Sequence, residues 1–261
     1  KFTESSTERE VNAIESEHAK NKTVDFWRQL LVQTVRHHPF SKFSCGNKKS
    51  LLEDPAAHGK NPRDALLPFF HKYYSAKQMA LVVLGKEPLP QLQQAVREKF
   101  SPVPNRGNGL RPSLAWIGKV KPFPDGQPSE AFNIVPAKDL RCLEVSWALS
   151  FTNLEEKKRF LEACPFDYIG AVLGHEGRGS LLSYLKRRGW GNTLGAYCFR
   201  VQDDFATFKV SIDMTSEGLT KRFDILAALF SYLDLMRKKG MPSFLASERQ
   251  TMSDLRWRFQ V

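Results

Sequence analysis

No apolar run in the 261-residue chain approaches the roughly 18 residues that a membrane-spanning helix requires, so no membrane span is expected. The opening stretch "KFTESSTERE" lacks the basic, apolar and small-residue order of a signal peptide. No methionine opens the chain, and its first residues read as the inside of a domain. Cysteine is scarce: Cys45, Cys142, Cys164 and Cys198 fall without C-x-x-C spacing, which argues against a thiolate zinc site or a redox pair. Four scattered cysteines, read as buried or free thiols, favour a reducing, cytoplasmic setting, the one indication of compartment in the sequence. Zinc-finger, RRM and KH signatures are missing too, as is any basic stripe interleaved with aromatics. The formal charge of +11 is carried in short pieces, and "LKRRG" and "MRKKG" fall at expected helix C-termini, where cations complement the helix dipole. No nucleic-acid partner is expected.

What is present fits a folded chain, 41% hydrophobic and 26% charged, with room for two ordinary domains. Residues 7–20 read as a helix capped by Ser6 or Thr7. "VDFWRQLLVQTVRHH" reads as a second helix, with Trp27, Leu30, Leu31 and Val35 at helical spacing. "HPFSKFSCGN" is a loop. Asn61 and Pro62 form an N-cap and N1 pair for a further helix. The β-branched run "MALVVLG" reads as a buried strand, and "LPQLQQAVREKF" as a helix.

From Ser101 to Pro128 the chain holds six prolines and four glycines without apolar periodicity, so a linker is placed at 106–128, between domains at 1–105 and 129–261. In the second domain "EAFNIVPAKDLRCLEVSWALS" reads as two strands and residues 153–173 as one long helix. A Gly-rich turn, "GHEGRGS", opens a short helix closed by Gly189. "NTLGAYCF" and "FATFKVSIDM" form a hairpin, and helices cover 216–239 and 243–258. "GHEGRGSLLSYLKRRGW" lacks the preceding strand and the Lys-Ser/Thr pair of a phosphate-binding loop.

The quoted helix "TEREVNAIESEHAKN" carries Glu10 and Glu17 on one stripe, interleaved with Val11 and Ile14. Seven residues advance about 10.5 Å and return to nearly the same azimuth, so both carboxylates can face one cleft. A zinc–carboxylate bond is only about 2 Å long, so one glutamate can ligate an ion while the other orients or polarises the site. His18 points about 100° away from Glu17, and nothing else nearby completes a tetrahedron. Two glutamates on a solvated helix face are the plain alternative.

Together, "EREVNAIESEHAKN", "HPFSKFSCGN", "YYSAKQMALVVLG" and "GHEGRGSLLSYLKRRGW" resemble the insulysin and nardilysin branch of the M16 (pitrilysin-type, inverzincin) metallopeptidases. The resemblance implies an α+β fold, mixed sheet packed with helices, in a zinc endopeptidase that hydrolyses peptides inside a chamber. By it, Glu17 is the third zinc ligand and Glu10 the acidic residue two turns earlier. The family's H-x-x-E-H motif occurs at none of His18, His37, His38, His58, His71 and His175. The chain is therefore expected to be an internal piece of a larger protein, inactive alone, with zinc and the remaining halves of that protein as its partners.

The resemblance also implies that "NTLGAYCF" and "TSEGL" form a site where the amino end of a peptide adds as a strand, through Gly195, Ala196 and Gly218. Relatives carry a Gly-Gly pair where this chain has Ala196-Tyr197. Trp27 is either an apolar chamber wall or a core residue beside Leu30 and Leu31. A non-catalytic relative that keeps the fold for binding is the alternative function. A basic module for acidic partners would rest on charge alone.

Overall fold

The computed structural model describes residues 3–34, 38–42, 45–106, 121, 131–136, 139–240 and 242–260; the side chains of 21–34, Trp27 among them, lie outside the described residues. The chain divides into two compact units, residues 1–116 and 117–261.

In the first unit a single helix, α1 (Glu4–Thr34), replaces the two expected. Residues 4–34 contain neither glycine nor proline, so nothing in the backbone interrupts it. It also starts earlier than Ser6 or Thr7 would place it, because the Thr3 hydroxyl accepts from Ser6 N at 3.3 Å. A short 3₁₀ turn at Pro39–Ser41 and a π turn at Lys49–Glu53 lead into α2 (Asp54–Ala57). Helix α3 (Pro62–Tyr73) starts at the expected pair, with Asn61 Oδ1 accepting from Arg63 N at 2.9 Å. Helix α4 (Leu89–Phe100) covers the expected residues.

The expected strand "MALVVLG" is not formed. Val82 and Leu84 are 90% and 98% exposed, and among the described residues this unit has no other strand to pair with. A strand satisfies its backbone only against a neighbour, and apolar composition alone cannot supply one.

The second unit is α+β. Strand β1 (Cys142–Ser150) is followed by α5 (Leu154–Ala163), α6 (Pro165–Leu173) and α7 (Leu181–Arg187). The hairpin β2 (Gly191–Val201) and β3 (Phe205–Met214) comes next, then α8 (Ser216–Thr220), α9 (Arg222–Lys239) and α10 (Ser243–Arg258). The long helix expected over 153–173 breaks at Cys164, which takes φ +43°. Pro165 disfavours the helical conformation in the residue before it and then serves as the first residue of α6. The described part of "EAFNIV", Ala131–Val135, is likewise not a strand; among the described residues only the second of the two expected runs pairs.

Among the described residues the sheet is antiparallel in the order β1-β3-β2, so β3 is central and β2 lies at an edge. One face packs Leu194, Phe208, Val210, Ile212 and Met214 against Leu173, Leu182, Leu185, Ile225 and Leu229 of the helices. The alternation of "FATFKVSIDM" produces this: Phe208, Val210 and Ile212 point inward, while Lys209 and Ser211 lie on the outer face.

That outer face holds a buried ion pair, Lys209 Nζ to Glu144 Oε2 at 3.1 Å, with side chains 7% and 19% exposed. The ammonium also lies 4.1 Å from the Phe199 ring centroid. Removing one partner strands the other charge, whereas replacing both leaves an apolar patch. Glu144→Leu is therefore expected to cost about 2 kcal/mol, at the low side because the carboxylate is not fully buried. Adding Lys209→Met should restore most of it; urea unfolding of the four forms measures the coupling, and additive losses would contradict it.

Candidate functional sites

Along α1, Val11 is 5% exposed and Ile14 half-buried, while Glu10 and Glu17 are both exposed. The 3.6-residue repeat thus separates a packed stripe from one that offers two carboxylates to solvent. Glu15, between them in sequence, is taken: its Oε2 accepts from Lys48 N at 2.6 Å and caps the turn that follows. Among the described residues no group of three or more His, Cys, Asp or Glu side chains could hold a metal ion. A tetrahedral zinc site needs three or four donors, and Glu17 can supply one, so the residues present do not by themselves fit the metal.

In the second unit the edge strand β2 carries Gly195 and Ala196. Its backbone direction follows from the hydrogen bonds at the two ends of β3. On the β1 side, Met214 N donates to Arg141 O at 2.7 Å and Phe151 N to Asp204 O at 2.6 Å. On the β2 side, Gln202 N donates to Phe205 O at 2.7 Å. The β1–β3 register runs without a break, so even-numbered residues of β3 turn their amides to β1 and odd-numbered ones to β2. Leu194 and Ala196 lie opposite Ile212 and Val210 and must turn their own N–H and C=O away from β3, to the side of β2 where no strand pairs among the described residues and where α6 lies against Ala196.

Three glycines shape this edge. An ideal Cβ on Gly195 would come 3.4 Å from Tyr197 Cε1, so the Tyr197 ring lies over Gly195 on the outer face. On the other side α6 presses against Ala196: a Cβ on Gly170 would fall 2.6 Å from Ala196 O, and one on Gly174 3.9 Å from Ala196 N. Gly218, buried in α8, leaves no room for a side chain against the Trp190 carbonyl. Burial, with Glu144 and then Cys142 adding to it, raises the Tyr197 phenol above its ordinary range, so it is neutral at physiological pH. Burial likewise pushes the Cys142 thiol up; its Sγ lies 3.2 Å from Ser211 Oγ on the same face.

Comparison with known proteins follows the same lines. A model described as "Peptidase M16 inactive domain" matches residues 62–249. The chain belongs to the peptidase M16 family. This M16 chain is 39% identical over 264 residues to the insulin-degrading enzyme of Drosophila melanogaster, covering 99% of this chain and 26% of that one. It is 36% identical over 262 residues to the Homo sapiens insulin-degrading enzyme, covering 99% and 25%. A Caenorhabditis elegans putative zinc protease is also 36% identical, with 99% and 29% covered. Among solved structures, the crystal structure of pitrilysin superposes with a TM-score of 0.72 at 26% identity, covering 99% of this chain and 27% of that one. The M16 chain thus spans about a quarter of the length of these relatives.

The matched residues 62–249 include β2 and α8 but begin after Glu10 and Glu17. Gly195, Ala196 and Gly218 fall in the second M16 unit, and the two glutamates in the first. Reading the sequence missed Leu194, whose amide shares the edge with Ala196, because amide direction depends on register. It also missed Gly170 and Gly174, although their four-residue spacing in "GAVLG" was a visible signal of close helix approach.

Proposed function

We propose that the chain is part of an M16 zinc metalloendopeptidase that hydrolyses peptides in an enclosed chamber. Glu17 contributes one zinc ligand, Glu10 an acidic group beside the site, and the β2 edge with α8 a stretch of chamber wall. The observation that carries this reading is the pair of exposed carboxylates two turns apart on α1, in a chain aligned almost end to end with insulin-degrading enzymes. Bound zinc would polarise water for attack on a scissile carbonyl, and most of its ligands would come from elsewhere in the larger protein. Leu194 and Ala196 present outward N–H and C=O groups, the requirement for a peptide's amino end to add as a strand.

The family description favours a second reading for residues 62–249, a non-catalytic binding unit, and leaves α1 outside its bounds. Zinc affinity of the larger protein separates the two. Glu17→Gln is expected to weaken zinc on the order of a hundredfold or more in chelator competition, since even ligand-orienting residues are worth 10–100-fold. Glu10→Gln should lower kcat/KM more than it lowers zinc affinity. Unchanged zinc affinity in Glu17→Gln would remove the ligand assignment and leave the non-catalytic reading.

A further inference from the structure

We propose that a groove between α6 and α9 in the second unit binds a small amphiphilic carboxylate, with the apolar tail in the groove and the head on Arg237. The inference depends on neither the zinc nor the strand-addition reading above. The groove has a volume of about 580 Å³, within the range of small-molecule sites. Trp147 and Phe208 of the sheet, Phe166 and Ile169 of α6, and Phe230 and Met236 of α9 line it. Ring contacts brace its floor, with centroids 6.1 Å apart for Trp147 and Phe208 and 5.1 Å for Phe166 and Phe208. Phe230 meets Trp147 edge-on at 6.3 Å yet is 48% exposed, so the groove is open to solvent beside it.

Charge decides the class of ligand. Asp234 and Arg237 also line the groove, about one turn apart toward the C-terminal end of α9. The Asp234 carboxylate is already engaged, its Oδ2 lying 2.6 Å from Lys238 Nζ. Arg237 is exposed and makes no hydrogen bond, ion pair or ring contact among the described residues, so its guanidinium is available. A helix C-terminus carries negative partial charge, but Arg237, Lys238 and Lys239 in the last turn outnumber the Asp234 carboxylate and leave this end positive. A planar guanidinium matches a carboxylate with two parallel hydrogen bonds. One continuous apolar pocket with a cation at its mouth fits the tail and head of a single amphiphile, whereas a docked helix is read through a row of anchors one turn apart.

The test uses the isotope-labelled 261-residue chain and the probes decanoate, decanol and decyltrimethylammonium, all below micelle-forming concentration. Binding is read from shifts of the Ile169 and Met236 methyls and the Trp147 indole N–H. Decanoate is expected to bind about fivefold more tightly than decanol, the modest gain of a partly exposed ion pair, and the cation more weakly than either. Octanoate should bind about tenfold more weakly than decanoate, because fewer methylenes are buried. Arg237→Gln should erase the preference for decanoate, and Arg237→Glu should turn it toward the cation. Phe230→Ala should weaken all the probes and leave the preference in place. Equal affinity for carboxylate, alcohol and cation, or a preference that survives Arg237→Gln, would overturn the assignment of the head to Arg237. Shifts that do not saturate would overturn the site. Decanoate that binds the 261-residue chain but not the larger protein would overturn it as well, and make the groove a face that another segment of that protein covers.

Discussion

Gly218→Ala is expected to destabilise the second unit by about 4 kcal/mol, a large share of the 5–15 kcal/mol that holds a typical domain. In an open helix the same change would gain about 1 kcal/mol of helix propensity, so the sign depends on whether the surroundings can yield. They cannot. The new methyl would fall within the radius of the Trp190 carbonyl oxygen, and the neighbour it would push on the far side is Met214 Cβ, at 3.2 Å. The carbonyl is fixed in place because Thr215 N donates to it at 3.1 Å, while Trp190 N donates to Leu185 O at 3.0 Å. The helix end is fixed as well: Gly218 N donates to Thr215 Oγ1 at 2.9 Å, and that hydroxyl donates to Gly189 O at 2.6 Å. Relief therefore requires breaking backbone hydrogen bonds. Exchange of the Val210 and Ile212 amides measures the loss, and Thr215→Ala, which removes the cap and its bond to Gly189 O without adding a clash, sets the comparison at about 1 kcal/mol. A Gly218→Ala protein as stable as the natural one would mean that α8 slides away from β2 at little cost.

Much of the fold was legible because its causes are local. Asn61 with Pro62, the Gly-rich turn ahead of α7, and the alternation of "FATFKVSIDM" each act within a few residues, and each appears where the sequence placed it. The failures are those in which a distant partner decides. "MALVVLG" has strand composition but no neighbouring strand among the described residues, and its valines face solvent. Cys164 breaks a helix because Pro165 follows it, a local signal outweighed in the reading by continuous helical periodicity on both sides. The candidate sites divide in the same way. The stripe that separates Glu10 and Glu17 from Val11 follows from helical geometry alone. The outward amides of Leu194 and Ala196 do not, since a one-residue change in register would have turned them inward. Lys209, in mid-strand between Phe208 and Val210, reads as a solvent-facing residue until Glu144 is found across the sheet.

Gly170→Ala is the second substitution with a large expected effect, and it bears on the edge itself. A methyl at Gly170 would sit 2.6 Å from Ala196 O, well inside the roughly 3.4 Å of ordinary contact, and the atom it meets is backbone and cannot rotate away. Overpacking of this kind costs about 3 kcal/mol, against about 1 kcal/mol gained in helix propensity, so a net loss of about 2 kcal/mol is expected. The alternative to paying that strain is for α6 to withdraw from β2, which would open the space beside the outward amides of Leu194 and Ala196. The two responses are distinguishable: strain lowers stability and leaves the Ala196 amide shift in place, whereas withdrawal moves that shift and speeds its exchange. Unfolding by urea, together with the Ala196 amide, reads both at once. A gain of about 1 kcal/mol with an unmoved Ala196 amide would show that α6 does not bear on β2, and the edge would then owe its shape to the hairpin alone.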